Sequence, residues 1–402
     1  MAKQNQTDKI SQKSPLFGIG HYSLAVFTCI LLLSESVVAA PRQLSPDFQD
    51  KSSQIAQGSE QEKTKAAAVR VMQEGLELYK QGTVESKRRA IAKWEEALSL
   101  YRAVSEKAGE GVILFGIGRT YFDLGESQKA LSYFNQSLPL FRTVGNKEWE
   151  AKNLINLGHT YYALRENQKA LEYFNQSLPL FRALGDKAFE AVNLWGIGRV
   201  YNTLGEQQQA LEYYNQSLPL SRAAGDKATE AAILMEMGRM YDRQGEKQKA
   251  LAYFNQSLPL FQQVGNKTEE ATTLNYIGFV YLDLKEKQKA LDSFNQSLPL
   301  WREIGSKAGI ASTFVGFGVV YYDLGEKQKA LDYFHQSLPL FREVGYKPGE
   351  AANLWIIANI YDNLGEKQKA LDYYKQSLPL LQQLNDKPRI AATLSNIKRL
   401  SP

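Results

Sequence analysis

The residues of this sequence that could do chemistry at a fixed spacing are five Asn-Gln-Ser triplets, a pattern that matches the acceptor for N-linked glycans. The triplets begin at Asn135, Asn175, Asn215, Asn255 and Asn295. Each continues into Leu-Pro, and two further copies keep Ser-Leu-Pro but carry His335 or Lys375 instead of asparagine. Because the rest of the segment persists where the acceptor is lost, we interpret it as architectural rather than as a glycan site.

Side chains that commonly catalyse reactions or bind metals are scarce. The histidines are His21, His159 and His335, and the one cysteine is Cys29, so no Cys/His cluster has the spacing of a metal site. No serine has the sharp turn or paired base of a nucleophile, and no glycine-rich phosphate loop follows a strand. We therefore predict that the protein is not an enzyme and binds no metal or cofactor.

The first 39 residues have the features of a secretory signal peptide. Three lysines precede a short apolar run at 22–33, and the small residues Val37, Ala39 and Ala40 follow it. The run is too short to span a bilayer, which takes about 20 residues. We predict cleavage after Ala39 and export to the periplasm or the exterior, with an uncleaved N-terminal anchor as the alternative.

From about residue 105 onward the sequence repeats itself every 40 residues, a period typical of stacked structural repeats. One repeat, 145–184, carries two apolar stripes with the period of amphipathic helices. The first stripe consists of Leu154, Leu157, Gly158 and Tyr161, and the second of Ala170, Phe174, Ser177, Leu178 and Phe181. Each repeat is therefore predicted to be a pair of helices, which we name the A helix and the B helix.

Glycine and asparagine mark the predicted helix ends. Gly145 and its copies stand where the B helix must stop, and Asn385 takes this place in the last copy; both residue types suit a left-handed C-cap. Asn146 and its equivalents are predicted N-caps of the next A helix. Gly158 and its copies lie inside the A helix, where glycine costs about 1 kcal/mol relative to alanine. This recurrence predicts the close approach of a neighbouring helix.

The repeated proline is predicted to lie on the outer side of the B helix. Pro139 and its six copies fall opposite the apolar stripe, where a proline would fix a bend that is convex toward solvent. Asn135 and Ser137 are close to the backbone carbonyls that the proline leaves without a donor, and we expect them to help satisfy those groups. The segment is thus predicted to shape the array.

The stripe Leu154-x2-Leu157-Gly158-x2-Tyr161, followed by Ala170-x3-Phe174, resembles the tetratricopeptide repeat. The period of 40 rather than 34 residues is similar to that of the repeats of kinesin light chains. The amino-acid sequence of the repeat resembles the arrays of bacterial CHAT-domain proteins, although no CHAT-like segment follows here. The resemblance implies an all-α fold, a right-handed superhelix (α-solenoid) of about eight helix pairs plus a C-terminal capping helix.

The same comparison of copies predicts the domain organisation. The segment 1–39 is the predicted signal peptide, and the polar, aperiodic segment 40–64 a flexible linker. The predicted array covers 65–400. It consists of a divergent first repeat at 65–104, seven regular repeats at 105–384 and a capping helix at 385–400.

In tetratricopeptide arrays a concave groove is lined by A-helix residues opposite the core stripe, so the resemblance implies that a protein or peptide partner binds there. The predicted partner-binding residues are Phe115, Arg119, Phe122, His159, Tyr162, Trp195, Arg199, Asn202, Met235, Arg239, Phe279, Val319, Tyr322, Trp355 and Asn359. For the aromatic members, such as Trp195 and Trp355, packing between repeats is an equally weighted interpretation. Arginine and aromatic residues are the types that anchor partners.

The order of residue types along the groove predicts the chemistry of the partner. Arginines recur in the first half and apolar residues in the second, so we expect a segment with an acidic end and a hydrophobic end. The net charge of +5 is too mild to require nucleic acid. The alternative functions are a structural or self-associating oligomerisation module, or the regulatory remnant of a longer repeat-effector protein.

Overall fold

The computed structural model describes residues 52–401, and its regular structure there consists of seventeen α-helices without a strand. In chain order they are α1 Ser52–Lys80, α2 Val84–Ala103, α3 Lys107–Asp123, α4 Ser127–Thr143, α5 Lys147–Ala163, α6 Asn167–Leu184, α7 Lys187–Leu204, α8 Gln207–Ala224, α9 Lys227–Arg243, α10 Lys247–Gln263, α11 Lys267–Asp283, α12 Lys287–Ile304, α13 Lys307–Asp323, α14 Lys327–Glu343, α15 Lys347–Asn363, α16 Lys367–Gln383 and α17 Lys387–Leu400. Odd-numbered helices are the A helices and even-numbered helices the B helices. Eight pairs and a final lone helix are therefore present, as predicted.

The described chain divides into two compact units, 52–233 and 234–401, and the boundary falls inside α9. In the first compact unit each A helix pairs with the B helix that follows it, from α1 with α2 to α7 with α8, and each B helix packs on the next A helix. The second compact unit repeats this arrangement from α11 to α16, and α17 packs on α16. None of the described helices is long and apolar enough to cross a membrane.

The predicted helix ends are confirmed. Gly185 and Asn385 adopt the left-handed conformation after their B helices, with φ of 68° and 52°. The side chain of Asn146 accepts a hydrogen bond of 3.1 Å from the backbone N–H of Trp149, and Asp186 caps α7 in the same way. The caps satisfy backbone donors that an α-helix leaves unpaired at its start.

The close approach predicted at the A-helix glycine is also confirmed. A Cβ atom built on Gly158 would lie 2.7 Å from the ring of Phe174 on the paired B helix. The copies at Gly278 and Gly318 meet their phenylalanines at 2.6 Å and 2.8 Å. Because real Cβ atoms do not approach other atoms so closely, glycine sets the distance between the two helices of a repeat.

The Ser-Leu-Pro segment is partly as predicted. Pro139 is exposed and α4 continues through it. Contrary to the expectation from sequence, Ser137 does not serve the carbonyl that the proline leaves free. It is completely buried, and its hydroxyl donates to the carbonyl of Gly111 on α3 at 2.9 Å and accepts from the amide of Asn153 on α5 at 2.7 Å. The serine therefore connects three helices.

An ion pair recurs where a B helix meets the next A helix. Arg142 Nε lies 2.9 Å from Glu150 Oε1, eight residues further along the chain, and we name this contact the Arg–Glu clamp. The other clamps are Arg102–Glu110, Arg182–Glu190, Arg222–Glu230 and Arg342–Glu350. At the equivalent junction the side-chain amide of Gln262 donates a hydrogen bond of 3.0 Å to Glu270, so this contact is not an ion pair. Opposite Arg302 the glutamate is replaced by Ile310.

The structure differs from the sequence prediction at the start of the array and agrees with it at the C-terminal helix. Helix α1 begins at Ser52, so residues 52–64 of the predicted flexible linker are helical. The predicted capping helix is present as α17, with Lys398 and Arg399 exposed in its last turn. The predicted signal peptide, 1–39, lies outside the described residues.

Candidate partner-binding face

The predicted partner-binding residues all lie on A helices, at positions that share one side of each helix, which we name the A-helix face. Their side chains differ in exposure. Phe115 and Trp195 are buried, and Arg119, His159, Arg199 and Met235 are at most 7% exposed. The others are half-buried: Phe122, Tyr162, Asn202, Arg239, Phe279, Val319, Tyr322, Trp355 and Asn359. The side chains of the A-helix face are therefore more deeply buried than the sequence prediction of a groove lining implied.

Two of the aromatic residues belong to the core. Phe115 is 1% exposed, and its ring centroid lies 5.6 Å from Phe134 and 5.2 Å from Trp149. Trp195 is 2% exposed and its ring lies 6.2 Å from that of His159 on the preceding A helix. Adjacent A helices approach closely enough to cover these positions, so of the two interpretations offered for aromatic residues, packing between repeats describes their placement.

Arg119 is held by a polar network inside the first compact unit. Its Nε lies 3.1 Å from Asp123 Oδ1, and a terminal nitrogen donates to Asn156 Oδ1 at 3.2 Å. The hydroxyl of Tyr79 on α1 donates to the same aspartate. Arg119 and Asp123 are both nearly buried, so the positive charge is balanced within the protein. The guanidinium also lies 5.6 Å from the ring of Phe122.

His159 adds no positive charge to the face at neutral pH. Burial lowers the pKa of its imidazole well below the usual value, and the neighbouring Arg199 and Arg119 lower it further. The ring packs edge-on against Phe174, with 4.9 Å between centroids. His159 occupies the same repeat position as Arg119 and Arg199, which the sequence predicted to be cationic. The structure therefore places a neutral aromatic side chain between two arginines of this set.

Arg199 lies against two aromatic rings. Its guanidinium carbon is 4.5 Å from the ring centroid of Tyr162 and 4.9 Å from that of Trp195. Tyr162 is half-buried, and its hydroxyl lies 3.0 Å from Thr203 Oγ1. Since the arginine is more deeply buried than Tyr162, the half-exposed part of the face at this point is the tyrosine ring.

In the second compact unit the charged residues of the face are paired with one another. A terminal nitrogen of Arg239 lies 3.0 Å and 3.1 Å from the two carboxylate oxygens of Glu236, and the guanidinium lies 5.3 Å from the ring of Tyr276. Asp242 accepts from Lys247 at 2.7 Å.

The apolar part of the face crosses α11, α13 and α15. Phe279, Val319, Tyr322 and Trp355 are half-buried there and border the hydrophobic core. Phe279 packs edge-on against Phe294, with 5.1 Å between ring centroids. These side chains leave a row of partly exposed apolar surface that runs from one A helix to the next.

Asn359 is fixed by contacts on both sides of its amide. It donates to the carbonyl of Trp355 at 2.7 Å and accepts from the hydroxyl of Tyr374 at 2.9 Å. The tyrosine hydroxyl in turn accepts from Asn396 on α17 at 3.0 Å. These hydrogen bonds join α15, α16 and α17 and hold this end of the face in place.

Sequence reasoning missed the residues that hold the charges of the face. Asp123 and Glu236 are four residues after and three residues before the arginines they pair with, a spacing that places two side chains together on a helix. This signal could have identified both. Asn156 and Tyr276 meet an arginine of the preceding A helix, and only the packing of adjacent A helices brings these groups together.

Comparison with known families accounts for the repeat. The family model of the tetratricopeptide repeat matches residues 87–143, 149–223, 229–303 and 309–383, which together make up more than half of the chain. The chain belongs to this family, and its fold is an all-α tetratricopeptide solenoid. No curated protein is similar enough in sequence to match it.

Solved structures show the same fold at low sequence identity. The apo quorum sensor NprR from B. thuringiensis is 18% identical, with a TM-score of 0.62, and the match covers 79% of this chain and 88% of that one. A STAND protein with a tetratricopeptide repeat sensor from Pyrococcus horikoshii is 15% identical, with a TM-score of 0.64, over 84% of this chain and 49% of that one. A Rap protein complexed with competence and sporulation factor is 12% identical, with a TM-score of 0.54, over 81% and 99%.

Within residues 60–401 no group of three or more His, Cys, Asp or Glu side chains is arranged to hold a metal ion. The A-helix face consists of half-buried aromatic rings and aliphatic groups beside charges that are paired within the protein. A surface of this composition suits recognition of another polypeptide.

Proposed function

We propose that the protein is a non-enzymatic interaction scaffold that holds a segment of a partner protein or peptide along its A-helix face. The observation that carries this proposal is the row of half-buried apolar side chains Phe279, Val319, Tyr322 and Trp355 on three successive A helices. Burying such side chains against a partner contributes about 25 cal/mol for each Å² of apolar surface removed from water. The tetratricopeptide structures described as a quorum sensor and as a complex with a factor are consistent with this role.

The partner segment is proposed to have a hydrophobic end and an acidic end. The hydrophobic end lies on Phe279, Val319 and Trp355, and the acidic end on Arg239 of the preceding A helix. Because Glu236 already balances this arginine, a partner carboxylate has to exchange with an internal one. We therefore expect apolar contacts to supply most of the binding free energy, and the acidic end to set the orientation.

The test is capture of the partner from the organism's envelope extract with the full chain as bait, followed by measurement of the binding of the recovered protein to defined variants. Phe279→Ser with Trp355→Ser should weaken binding at least tenfold. Asn175→Ser, on the exposed side of a B helix, is the matched control and should bind like the parent. A partner that binds the double variant as tightly as the parent does not use this face.

Charge reversal tests the acidic end separately. Arg239→Glu should reduce binding at low salt, and salt should weaken the parent complex, because partly exposed charges are screened beyond about 8 Å at physiological ionic strength. Tight binding of the reversed variant at low salt rules out the acidic end. Recovery of only copies of the chain itself would favour the alternative, an oligomerisation module.

We further propose that the chain is exported through a signal peptide at 1–39. The proposal rests on the lysines, apolar run and small residues of that segment. N-terminal sequencing of the cellular protein should begin at Ala40 or within two residues of it. A protein that begins at Met1 or Ala2 and stays with the membrane fraction is instead held by an uncleaved anchor.

A further inference from the structure

Helix α17 exposes two apolar residues whose equivalents in the regular repeats are buried. Leu394 is 48% exposed, and Ala391, three residues before it, is exposed as well. We name these two residues the apolar pair. Forty residues earlier, on α15, Leu354 is 1% exposed and Ala351 is completely buried. The same two positions on α5, α7 and α11 are between 0% and 4% exposed.

In a regular repeat it is the B helix that covers this side of the A helix. On α5, a Cβ atom added to Gly158 would lie 2.7 Å from the ring of Phe174 on α6. Helix α17 packs on α16, where Leu400 joins a hydrophobic cluster, and no B helix follows α17 among residues 52–401. The side of α17 that carries the apolar pair therefore has no helix over it.

A lysine replaces the glycine of the regular repeats at the end of this side of α17. Lys398 is the equivalent of Gly158 and of Gly318, where a Cβ atom would lie 2.7 Å and 2.8 Å from a phenylalanine of the B helix. Because any side chain at this position meets that ring, a B helix of the regular type cannot pack on α17 at the same distance. An occupant of this side of α17 has to bring a different group to the lysine.

Two exposed lysines bracket the apolar pair. Lys387 lies four residues before the pair and Lys398 four residues after it, on the same side of the helix. Arg389 and Arg399, the other cations of α17, are each paired with an aspartate. Among residues 60–401 no aspartate or glutamate side chain forms an ion pair with either lysine. The apolar pair is therefore bordered at both ends by positive charge.

We propose that the apolar pair and its two lysines bind an amphipathic helix of a partner protein, with aliphatic side chains on the pair and a carboxylate at each lysine. A helix fits because helices cover the equivalent positions of α5 and α15. Carboxylates fit because they supply the charge that Lys387 and Lys398 lack. The two lysines are about 16 Å apart along the helix axis, so the two carboxylates are eleven residues apart in the partner helix as well.

This site is independent of the function proposed for the A-helix face. The A-helix face continues onto α17 at Ser395 and Arg399, which are the equivalents of Phe115 and Arg119. Successive residues of an α-helix are turned by about 100°, so Leu394 and Ser395 point to different sides. A partner on one side can therefore be lost without loss of the other.

The probe for this site is a fluorescein-labelled peptide of about 20 residues on an alanine background, long enough to be helical in water. Two glutamates eleven residues apart bracket two leucines in it, as the lysines bracket the apolar pair. Fluorescence anisotropy measures its binding to the full chain. Leu394→Glu should weaken binding about tenfold, because a leucine contact is replaced by a charge that repels the glutamates. Glutamines in place of the peptide's glutamates should weaken binding about threefold.

Charge exchange separates this site from unspecific attraction. Lys387→Glu with Lys398→Glu should reverse the preference, so that a peptide with lysines in place of its glutamates binds better than the glutamate peptide. Lys187→Glu with Lys375→Glu is the matched control: it changes the net charge equally, at exposed lysines elsewhere, and should leave the preference unchanged. Because all four lysines are exposed, these variants should melt like the parent.

Four results would overturn the proposal. The first is the absence of peptide binding by the parent, and the second is equal binding by the parent and Leu394→Glu. The third is a preference for the glutamate peptide that survives the exchange at Lys387 and Lys398. The fourth is a parent chain that is dimeric in sedimentation equilibrium and becomes monomeric in Leu394→Glu, since a second copy would then occupy this side of α17.

Discussion

The side-chain amide of Asn153 donates a hydrogen bond to the hydroxyl of Ser137 across 2.7 Å, and both side chains are completely buried. Asn193 with Ser177 and Asn353 with Ser337 repeat this contact between a B helix and the next A helix. In these three repeats the serine two residues before the proline is thus the acceptor for a buried asparagine of the next A helix. A buried donor that loses its acceptor is costly, so the pair fixes how successive repeats meet.

Removing one partner of this contact should destabilise the array. Ser137→Ala leaves the amide of Asn153 without its acceptor and should lower the free energy of unfolding by about 1–3 kcal/mol. Asn153→Thr should cost less, because Thr273 and Thr313 occupy the equivalent position in other repeats and are equally buried. Urea unfolding followed by circular dichroism measures both variants. Identical unfolding of Ser137→Ala and the parent would show that the contact contributes nothing.

Two cations stand at turns where the other repeats have glycine, and replacing them with glycine should stabilise the protein. Arg165 and Lys285 have φ of 62° and 64°, in the left-handed region that disfavours side chains. Both are exposed, and the ion pair of Lys285 with Asp323 is 3.9 Å long and therefore weak. We expect each glycine variant to gain up to about 1 kcal/mol, partly offset by the greater freedom of unfolded glycine.

The reverse substitution is the control for this prediction. Gly125, with φ of 77°, occupies the equivalent turn of another repeat, and a Cβ atom added to it would have no neighbouring atom within 4 Å. Gly125→Lys should therefore lower the melting temperature through backbone strain alone, in contrast to Lys285→Gly. A higher melting temperature for Gly125→Lys would contradict the explanation.

The buried His159 should make stability depend on pH. Burial, with Arg199 and Arg119, lowers its pKa in the folded protein, so below about pH 6.5 the unfolded chain binds a proton that the folded protein does not. The free energy of unfolding should then fall as the pH falls from about 6.5 toward the lowered pKa, by at most about 1.4 kcal/mol for each pH unit.

The variant His159→Phe should lack this component, because Phe279 occupies the equivalent position in another repeat and does not titrate. The measurement is the difference in unfolding free energy between parent and variant from pH 7.5 to 5. Burial also lowers the pKa of His335, but this residue is present in both proteins and cancels in the comparison. A difference that does not change with pH would contradict the assignment.

Local signals predicted the helices more accurately than the surface they form. Gly185 and Asn146 define helix ends through their own backbone and side-chain chemistry, and Gly158 identified a close contact because glycine is costly inside a helix. These properties belong to single residues or to one turn of helix. They can therefore be read from the sequence without knowledge of which helices meet.

The exposure of the A-helix face could not be read in the same way. Phe115 and Trp195 share a helix position with half-buried residues, and their burial depends on how closely neighbouring A helices approach. The contact between Arg119 and Asn156 likewise joins residues on different A helices. Helical periodicity gives the direction of a side chain, but not the distance to the next repeat.

The Arg–Glu clamp has a consequence for how disorder spreads along the chain. Each clamp connects the end of one B helix with the start of the next A helix, so its free energy belongs to the boundary between two repeats and to neither repeat alone. Boundaries of this kind set the cooperativity of unfolding in a one-dimensional array. At the junction of α12 and α13, where Ile310 cannot accept from Arg302, the coupling lacks this ionic contribution. We expect a melting front that moves through the second compact unit to pause there, so that the segments on either side exchange their amide hydrogens as separate cooperative blocks.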